Sequence, residues 1–221
     1  GDRVIIYMPM VPEVVVALFA CFQVGAVAIP VFSAFGSEAL AVRLQDAKAV
    51  ALFTADGGFR RGKAAMIKPN ADAAVAEVPS IRHQIVLKRV DADVPFEPGR
   101  DLWWHEAIDA REPDTKTEVL DAEAPAMILY TSGTTGKPKG VLWRQGDIWI
   151  SVLGGRRLTD KGIINSLDEV AAIATEGTMP VMPAPPFMHA AGQWNAIMGL
   201  FAGNTVVIQD LVEKLDPVDI L

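Results

Sequence analysis

Three short apolar runs, Val4–Met8, Ala26–Pro30 and Val50–Phe53, alternate with two stretches whose apolar residues recur at helical spacing. That alternation constrains the fold more than any other feature of the chain. Pro12 is tolerated in a first helical turn, and Glu13 beside it suits the positive end of the helix dipole. The first helix is expected to end near Gly25. Ser37 reads as an N-cap, followed by Leu40, Leu44 and Ala47 on one helical face. Strand, helix, strand, helix, strand is the pattern of crossover connections, in which each strand starts again at the same end of a sheet. The expected class is therefore α/β, with mostly parallel sheets and helices packed on their faces. Composition agrees: 51% of the 221 residues are apolar, and the abundance of Ala and Val suits strands buried on both sides.

Further along, Asp56-Gly57-Gly58 breaks the pattern. A helix is expected over Ala71–Val78, after Pro69. Ile81–Leu87 alternates, with Ile81, His83, Ile85 and Leu87 on one face. Asp91–Arg100 reads as a loop, and Asp101–Ala110 as a short helix capped by Asp101. Arg111–Ala124 is charged and poor in apolar residues, so it reads as a surface linker. It divides the chain into a first α/β lobe, 1–114, and a second, 115–221, both parts of one domain. In the second lobe Met127–Tyr130 and Val141–Trp143 are strand-like, and Asp147 is placed to cap a helix through Leu153. Arg156–Gly177 carries no clear pattern. Pro180–Pro186 is expected to be extended and irregular. Ala190, Trp194, Ile197 and Phe201 mark a helical face, and Gly203-Asn204 turns the chain into the strand Thr205–Ile208.

Several function classes are excluded by charge and composition. The net charge is −7, whereas a nucleic-acid partner requires a basic face. The lone Cys21 permits no intrachain disulfide and sits in an apolar run, where a thiol is inert; a reducing compartment is expected. Gly25 and Pro30 interrupt the long apolar run Val14–Phe35, so a buried helix and strand fit it better than a membrane span. Gly1-Asp2-Arg3 leads directly into a strand-like run, with no signal-peptide pattern.

The chemistry is concentrated in Tyr130-Thr131-Ser132-Gly133-Thr134-Thr135-Gly136-Lys137-Pro138-Lys139-Gly140. Glycines allow backbone N–H groups to approach a phosphate, hydroxyls donate to its oxygens, and lysine adds a point charge. The Walker A pattern fails twice: Thr131 stands where its first glycine belongs, and Pro138 replaces the hydroxyl after Lys137. A solvated Ser/Thr/Gly linker is disfavoured by the buried strands on either side and by the two lysines.

This eleven-residue segment resembles the phosphate-binding signature of the acyl-adenylate-forming superfamily, which includes acyl-CoA synthetases, luciferases and peptide-synthetase adenylation domains. Gly1–Pro12, Gly25–Phe35 and Asp101–Ile108 are similar to early segments of acetyl- and propionyl-type CoA synthetases. Met182–Gly203, with Pro185-Pro186-Phe187-Met188-His189 and Gly192-Gln193-Trp194, looks more like fatty-acyl or sterol-side-chain CoA synthetases. The resemblance implies a carboxylic acid, ATP with Mg2+, and coenzyme A as reactants. It also implies that Thr131, Ser132, Gly133, Thr134, Thr135, Gly136 and Lys137 hold the β- and γ-phosphates. Lys139 matches the motif as well. His189 matches the histidine of the family's acyl and adenylate pocket, a catalytic-site role.

The family's later motifs, Tyr-Gly-x-Thr-Glu and Thr-Gly-Asp, do not occur in the 221 residues, and neither does the lobe with the catalytic lysine. The chain is therefore expected to be part of a larger N-terminal domain and to lack turnover alone. A cytoplasmic location is implied, peripheral to membranes if the acid is long-chain.

Other candidates carry less. His83 reads as a core or edge histidine. His105-Glu106 lacks the second histidine of H-E-x-x-H, because residue 109 is Asp109, and no metal site is expected. Trp103 and Trp104 read as packing residues, while Trp194 is open between core and pocket wall. No serine lies in G-x-S-x-G. An adenylating enzyme that loads a carrier protein, and a non-catalytic anion-binding remnant, remain as rival readings.

Overall fold

The computed structural model describes residues 1–60, 62–131, 138–157, 160–175, 177–185, 187 and 189–208. The elements, in chain order, are β1 (Arg3–Ile6), α1 (Glu13–Gln23), β2 (Val27–Pro30), α2 (Ser37–Ala47), β3 (Ala51–Ala55), β4 (Gly57–Arg60), β5 (Lys63–Met66), α3 (Lys68–Ala76), β6 (His83–Leu87), β7 (Asp101–Trp103), α4 (Trp104–Asp109), β8 (Pro125–Tyr130), β9 (Gly140–Arg144), α5 (Gln145–Val152), α6 (Leu167–Ala174), β10 (Pro180–Val181), α7 (Ala190–Phe201) and β11 (Thr205–Val206).

Seven strands form one sheet in the order β7-β6-β3-β1-β2-β8-β9. Every neighbouring pair is parallel except β8 and β9, which run antiparallel. The expected parallel α/β architecture is thus what the chain adopts. β1 shows why its run has no polar alternation. Val4 and Ile6 face a core shared with Val14, Leu18, Ile148 and Ile197. Ile5 and the following Tyr7 face a second core with Leu40, Leu44, Ala71 and Val75. Each fully buried aliphatic side chain contributes ~1.5–3 kcal/mol relative to exposure. α1 buries Val14, Ala17, Leu18 and Cys21, a stripe at helical spacing. It ends where Gly25 takes φ +69°, a left-handed conformation that glycine adopts without a Cβ penalty.

Several boundaries differ from the sequence reading. Gly36, not Ser37, occupies the N-cap of α2. Arg144, not Asp147, holds that position in α5, leaving Asp147 in the first turn, where its charge still meets the helix dipole. α3 begins before Pro69, which lies inside its first turn and sacrifices no intrahelical bond. Asp56 begins no irregular stretch: Gly57 and Gly58 open the hairpin β4–β5. In β6 the buried polar and apolar positions are Gln84, Val86 and Leu87, while His83 is exposed. The expected single face fails because Gln84 turns inward to a buried ionic cluster. Asp101 caps no helix. It starts strand β7, and its carboxylate joins that same cluster, leaving Trp103 at the N-cap of α4.

Residues 111–123 are exposed and follow the protein surface. They are tied to the end of α1 by Gln23, whose Nε2 donates to the carbonyls of Asp114 (3.0 Å) and Lys116 (3.2 Å). Within the unpatterned 156–177 stretch, Ser166 caps α6 by accepting the Glu169 N–H. The Pro-rich segment contributes β10, paired in parallel with β11. α7 buries Gly192, Gln193, Ala196, Ile197 and Gly199. Trp194 and Phe201 flank that stripe rather than centre it, being only partly buried at the margin of the core.

Candidate functional site

Parallel strands deliver their carboxyl ends to one edge of the sheet, where ligands of open α/β folds bind. Ala28 of β2 lies opposite Met127 of β8, so Val31 and Tyr130 leave the sheet at the same level three residues later. β8 and β9 form the hairpin whose connection is the Gly- and hydroxyl-rich segment. Its neck is closed reciprocally. The Thr131 N–H donates to the Lys139 carbonyl at 3.0 Å, and the Lys139 N–H donates to Thr131 Oγ1 at 3.2 Å. Both residues are exposed. Ser132, Gly133, Thr134, Thr135, Gly136 and Lys137 lie outside the described residues, as do the neighbours of Phe187, Pro186 and Met188.

His189 stands at the N-cap of α7, exposed, with φ −99° and ψ 138°. Its side chain makes no capping bond there. The ring lies 6.4 Å from that of Phe32, in the turn after β2. The helix is held beneath it by Phe187, which is buried and whose carbonyl accepts from Gln193 Nε2. Thus His189 and the hairpin neck both flank the turn that follows β2.

The base of the loop is held on its other side. Tyr130 Oη donates to Asp46 Oδ2 at 2.5 Å. The Arg43 guanidinium lies 5.6 Å from the Tyr130 ring centroid and 4.5 Å from that of Phe35. Burial, then the bond to Asp46, raises the Tyr130 phenol well above its ordinary range, so it remains a donor. Neither Asp46 nor Arg43 was visible as a site residue in the sequence; 84 residues separate Asp46 from Tyr130, and no local pattern joins them.

The remaining candidates resolve as packing or surface groups. Trp103 stacks on Phe96 at 4.9 Å, and Trp104 meets Phe53 edge-on at 5.7 Å. Trp194 meets Trp143 edge-on at 5.3 Å, at the margin of the core. Its buried Nε1 has no hydrogen-bond partner among the described residues. Burial pushes the Cys21 thiol up to about 12, which suits an inert side chain. A cavity of about 520 Å3 lies between α5, α6 and the far end of α7, walled by Trp149, Leu153, Ile173, Met198 and Phe201. A smaller cleft of about 290 Å3 is lined by Met10–Glu13 and Leu87–Arg89. Neither is lined by Thr131, Lys139 or His189.

A parallel α/β sheet with a Gly- and hydroxyl-rich hairpin connection at its carboxyl edge has the layout in which open α/β folds place their ligand sites. The chain matches the AMP-binding enzyme family over residues 1–221, and it belongs to that family. It is 51% identical to the acetyl-coenzyme A synthetase of Streptomyces coelicolor over 146 residues, which is 66% of this chain and 22% of that protein. It is 44% identical to acetyl-coenzyme A synthetase 2 of Pseudomonas aeruginosa over 168 residues, 76% of this chain and 25% of that protein. Among solved structures, acetoacetyl-CoA synthetase from Streptomyces lividans matches with a TM-score of 0.76 and 27% identity, covering 94% of this chain and 29% of that one. The chain thus spans about a quarter of the length of these relatives.

Proposed function

We propose that the protein containing this chain activates a carboxylic acid with ATP, forming acyl-AMP and then acyl-CoA. The observation that carries the reading is the closed neck between Thr131 and Lys139 at the carboxyl edge of the sheet. A donor-rich connection on a closed neck is suited to a polyphosphate. A carboxylate oxygen attacks the α-phosphorus, the bond to the β-phosphate oxygen breaks, and pyrophosphate leaves. Thr131, Ser132, Gly133, Thr134, Thr135, Gly136, Lys137 and Lys139 stabilise the charge that accumulates on that leaving group. The thiol of coenzyme A then attacks the acyl carbonyl and displaces AMP. His189 orients the acid or lines its pocket. Mg2+ entering with ATP would offset phosphate charge; the described residues supply no cluster of three acidic, His or Cys ligands for it.

The acid we propose is a fatty or related acyl acid. What supports that choice is the resemblance of Met182–Gly203 to fatty-acyl or sterol-side-chain CoA synthetases. We place the protein in the cytoplasm; no helix among the described residues is long and apolar enough to cross a membrane. Residues 1–114 and 115–221 are proposed as two lobes of one domain that share the central sheet.

The test is acyl-CoA formation by the intact protein from a panel running from acetate to long-chain and steroid acids. The expected outcome is turnover that rises with apolar chain length. Activity confined to acetate and propionate overturns the choice of acid, and transfer only to a pantetheinylated carrier protein favours a carrier-loading enzyme. The 221-residue chain alone is expected to show no ATP–pyrophosphate exchange.

A further inference from the structure

The turn after β2 and the helix α2 touch both halves of the candidate site, although neither carries a residue of the signature. His189 rests 6.4 Å from Phe32, and Phe32 meets Phe35 edge-on at 5.5 Å. Phe35 lies under the Arg43 guanidinium, which also faces the Tyr130 ring. The Phe35 carbonyl is in turn fixed by Tyr7 Oη at 2.6 Å. Asp46, one turn beyond Arg43, accepts the Tyr130 hydroxyl at 2.5 Å. Arg43 is only 4% exposed and makes no salt bridge with any described carboxylate; its Nη1 donates to the Ala39 carbonyl at 2.6 Å. A buried guanidinium stacked against two rings holds position through its planar faces as well as its charge.

From these contacts we infer that Asp46 and Arg43 are positioning residues, which act through Tyr130 to set the phosphate-binding hairpin at a fixed place relative to His189. Tyr130 is suited to the task because it touches both arms of the neck. It is bonded to Thr131, and it lies opposite Gly140 in the hairpin register. A Cβ on Gly140 would come within 3.4 Å of the Tyr130 ring, so the ring lies flush against the second arm. Restraining that one ring therefore restrains both strands where they enter the loop. Displacement of a positioned group by about 1 Å is enough to cost catalysis heavily. The inference rests on the proposed phosphate role of the loop, but its first readout does not.

That readout is tryptic cleavage of the Lys139–Gly140 bond in the intact protein, followed by mass spectrometry. Tyr130→Phe and Asp46→Ala are expected to accelerate it about tenfold, the loss of one charge-assisted hydrogen bond. Asp46→Asn keeps an acceptor and is expected to stay near the wild-type rate. The double variant Tyr130→Phe/Asp46→Ala is expected to match the single variants, because both remove the same bond. The second readout is the KM for MgATP in acyl-CoA formation, expected to rise in the three faster-cleaved variants while the KM for the acid holds. Equal cleavage in the wild type and all four variants overturns the restraint. Faster cleavage with an unchanged KM for MgATP overturns the positioning role and leaves a structural bond. A wild-type protein that forms no acyl-CoA from any acid refutes the proposed function instead, and the cleavage rates then decide the restraint by themselves.

Discussion

Lys68 is fully buried, and its ammonium is held by Asp72 (2.7 Å), Asp101 (2.8 Å) and the Pro95 carbonyl (2.9 Å). Arg100 closes the cluster against Asp101 (2.7 Å) and Asp72 (3.1 Å). Removing one partner of such a group leaves a desolvated charge uncompensated, so Lys68→Met is expected to lower unfolding free energy by about 3 kcal/mol in urea denaturation. Burial raises the Asp101 carboxyl, yet the bonds from Arg100 and Lys68 outweigh it and hold the group below the ordinary carboxylate range. A carboxyl depressed on folding stabilises above its unfolded pKa and loses that contribution as pH falls through the folded one. The acid limb of the stability curve, below about pH 4, is therefore expected to flatten in Asp101→Asn relative to wild type. None of this was legible in the sequence. Asp101, the fully buried partner of Lys68, lies 33 residues away, so no local pattern announces the cluster. The loop Thr131–Lys139 can be proposed from sequence for the opposite reason: its donor-bearing residues are adjacent in the chain.

Elements followed the sequence where burial was uniform and failed where a polar group had a distant partner. α1 was readable because its buried stripe repeats at helical spacing. The hairpin β4–β5 was not, since Asp56-Gly57-Gly58 has the composition of a loop. The structure uses Asp56 as a hub: its Oδ1 accepts the N–H groups of Gly57, Arg89 and Val90, and Oδ2 that of Ala92. Gly58 abuts Pro9, where a Cβ would come within 2.9 Å. The turn at Gly203 was foreseen, but its cause lies in tertiary packing. Gly203 takes φ +75°, and a Cβ there would collide with the Ala174 carbonyl at the end of α6. Gly203→Ala is expected to cost at least about 1 kcal/mol for the left-handed backbone alone. A melting temperature unchanged by that substitution would falsify the packing of α6 against the end of α7.

At the scale of the whole molecule, the parallel sheet carries the β8–β9 connection at its carboxyl edge. Alternation along residues 4–53 announced the sheet, but the strand order was not readable: β3 pairs with β1 on one side and β2 pairs with β8 on the other. That order brings Tyr130 level with the turn after β2, whose Phe32 lies 6.4 Å from the His189 ring. Relatives named as acetyl-coenzyme A synthetases match 66% of the chain, while the Pro185–Trp194 segment resembles enzymes for larger acids; the acid panel separates the two. The loop is proposed to carry the leaving pyrophosphate of ATP, and exchange of labelled pyrophosphate into ATP by the intact protein tests this, with Thr131→Ala and Lys137→Ala alongside. Acid-dependent exchange is expected, falling roughly a hundredfold in each variant, the usual cost of removing one preorganised donor. Exchange at the wild-type rate in both variants would contradict it.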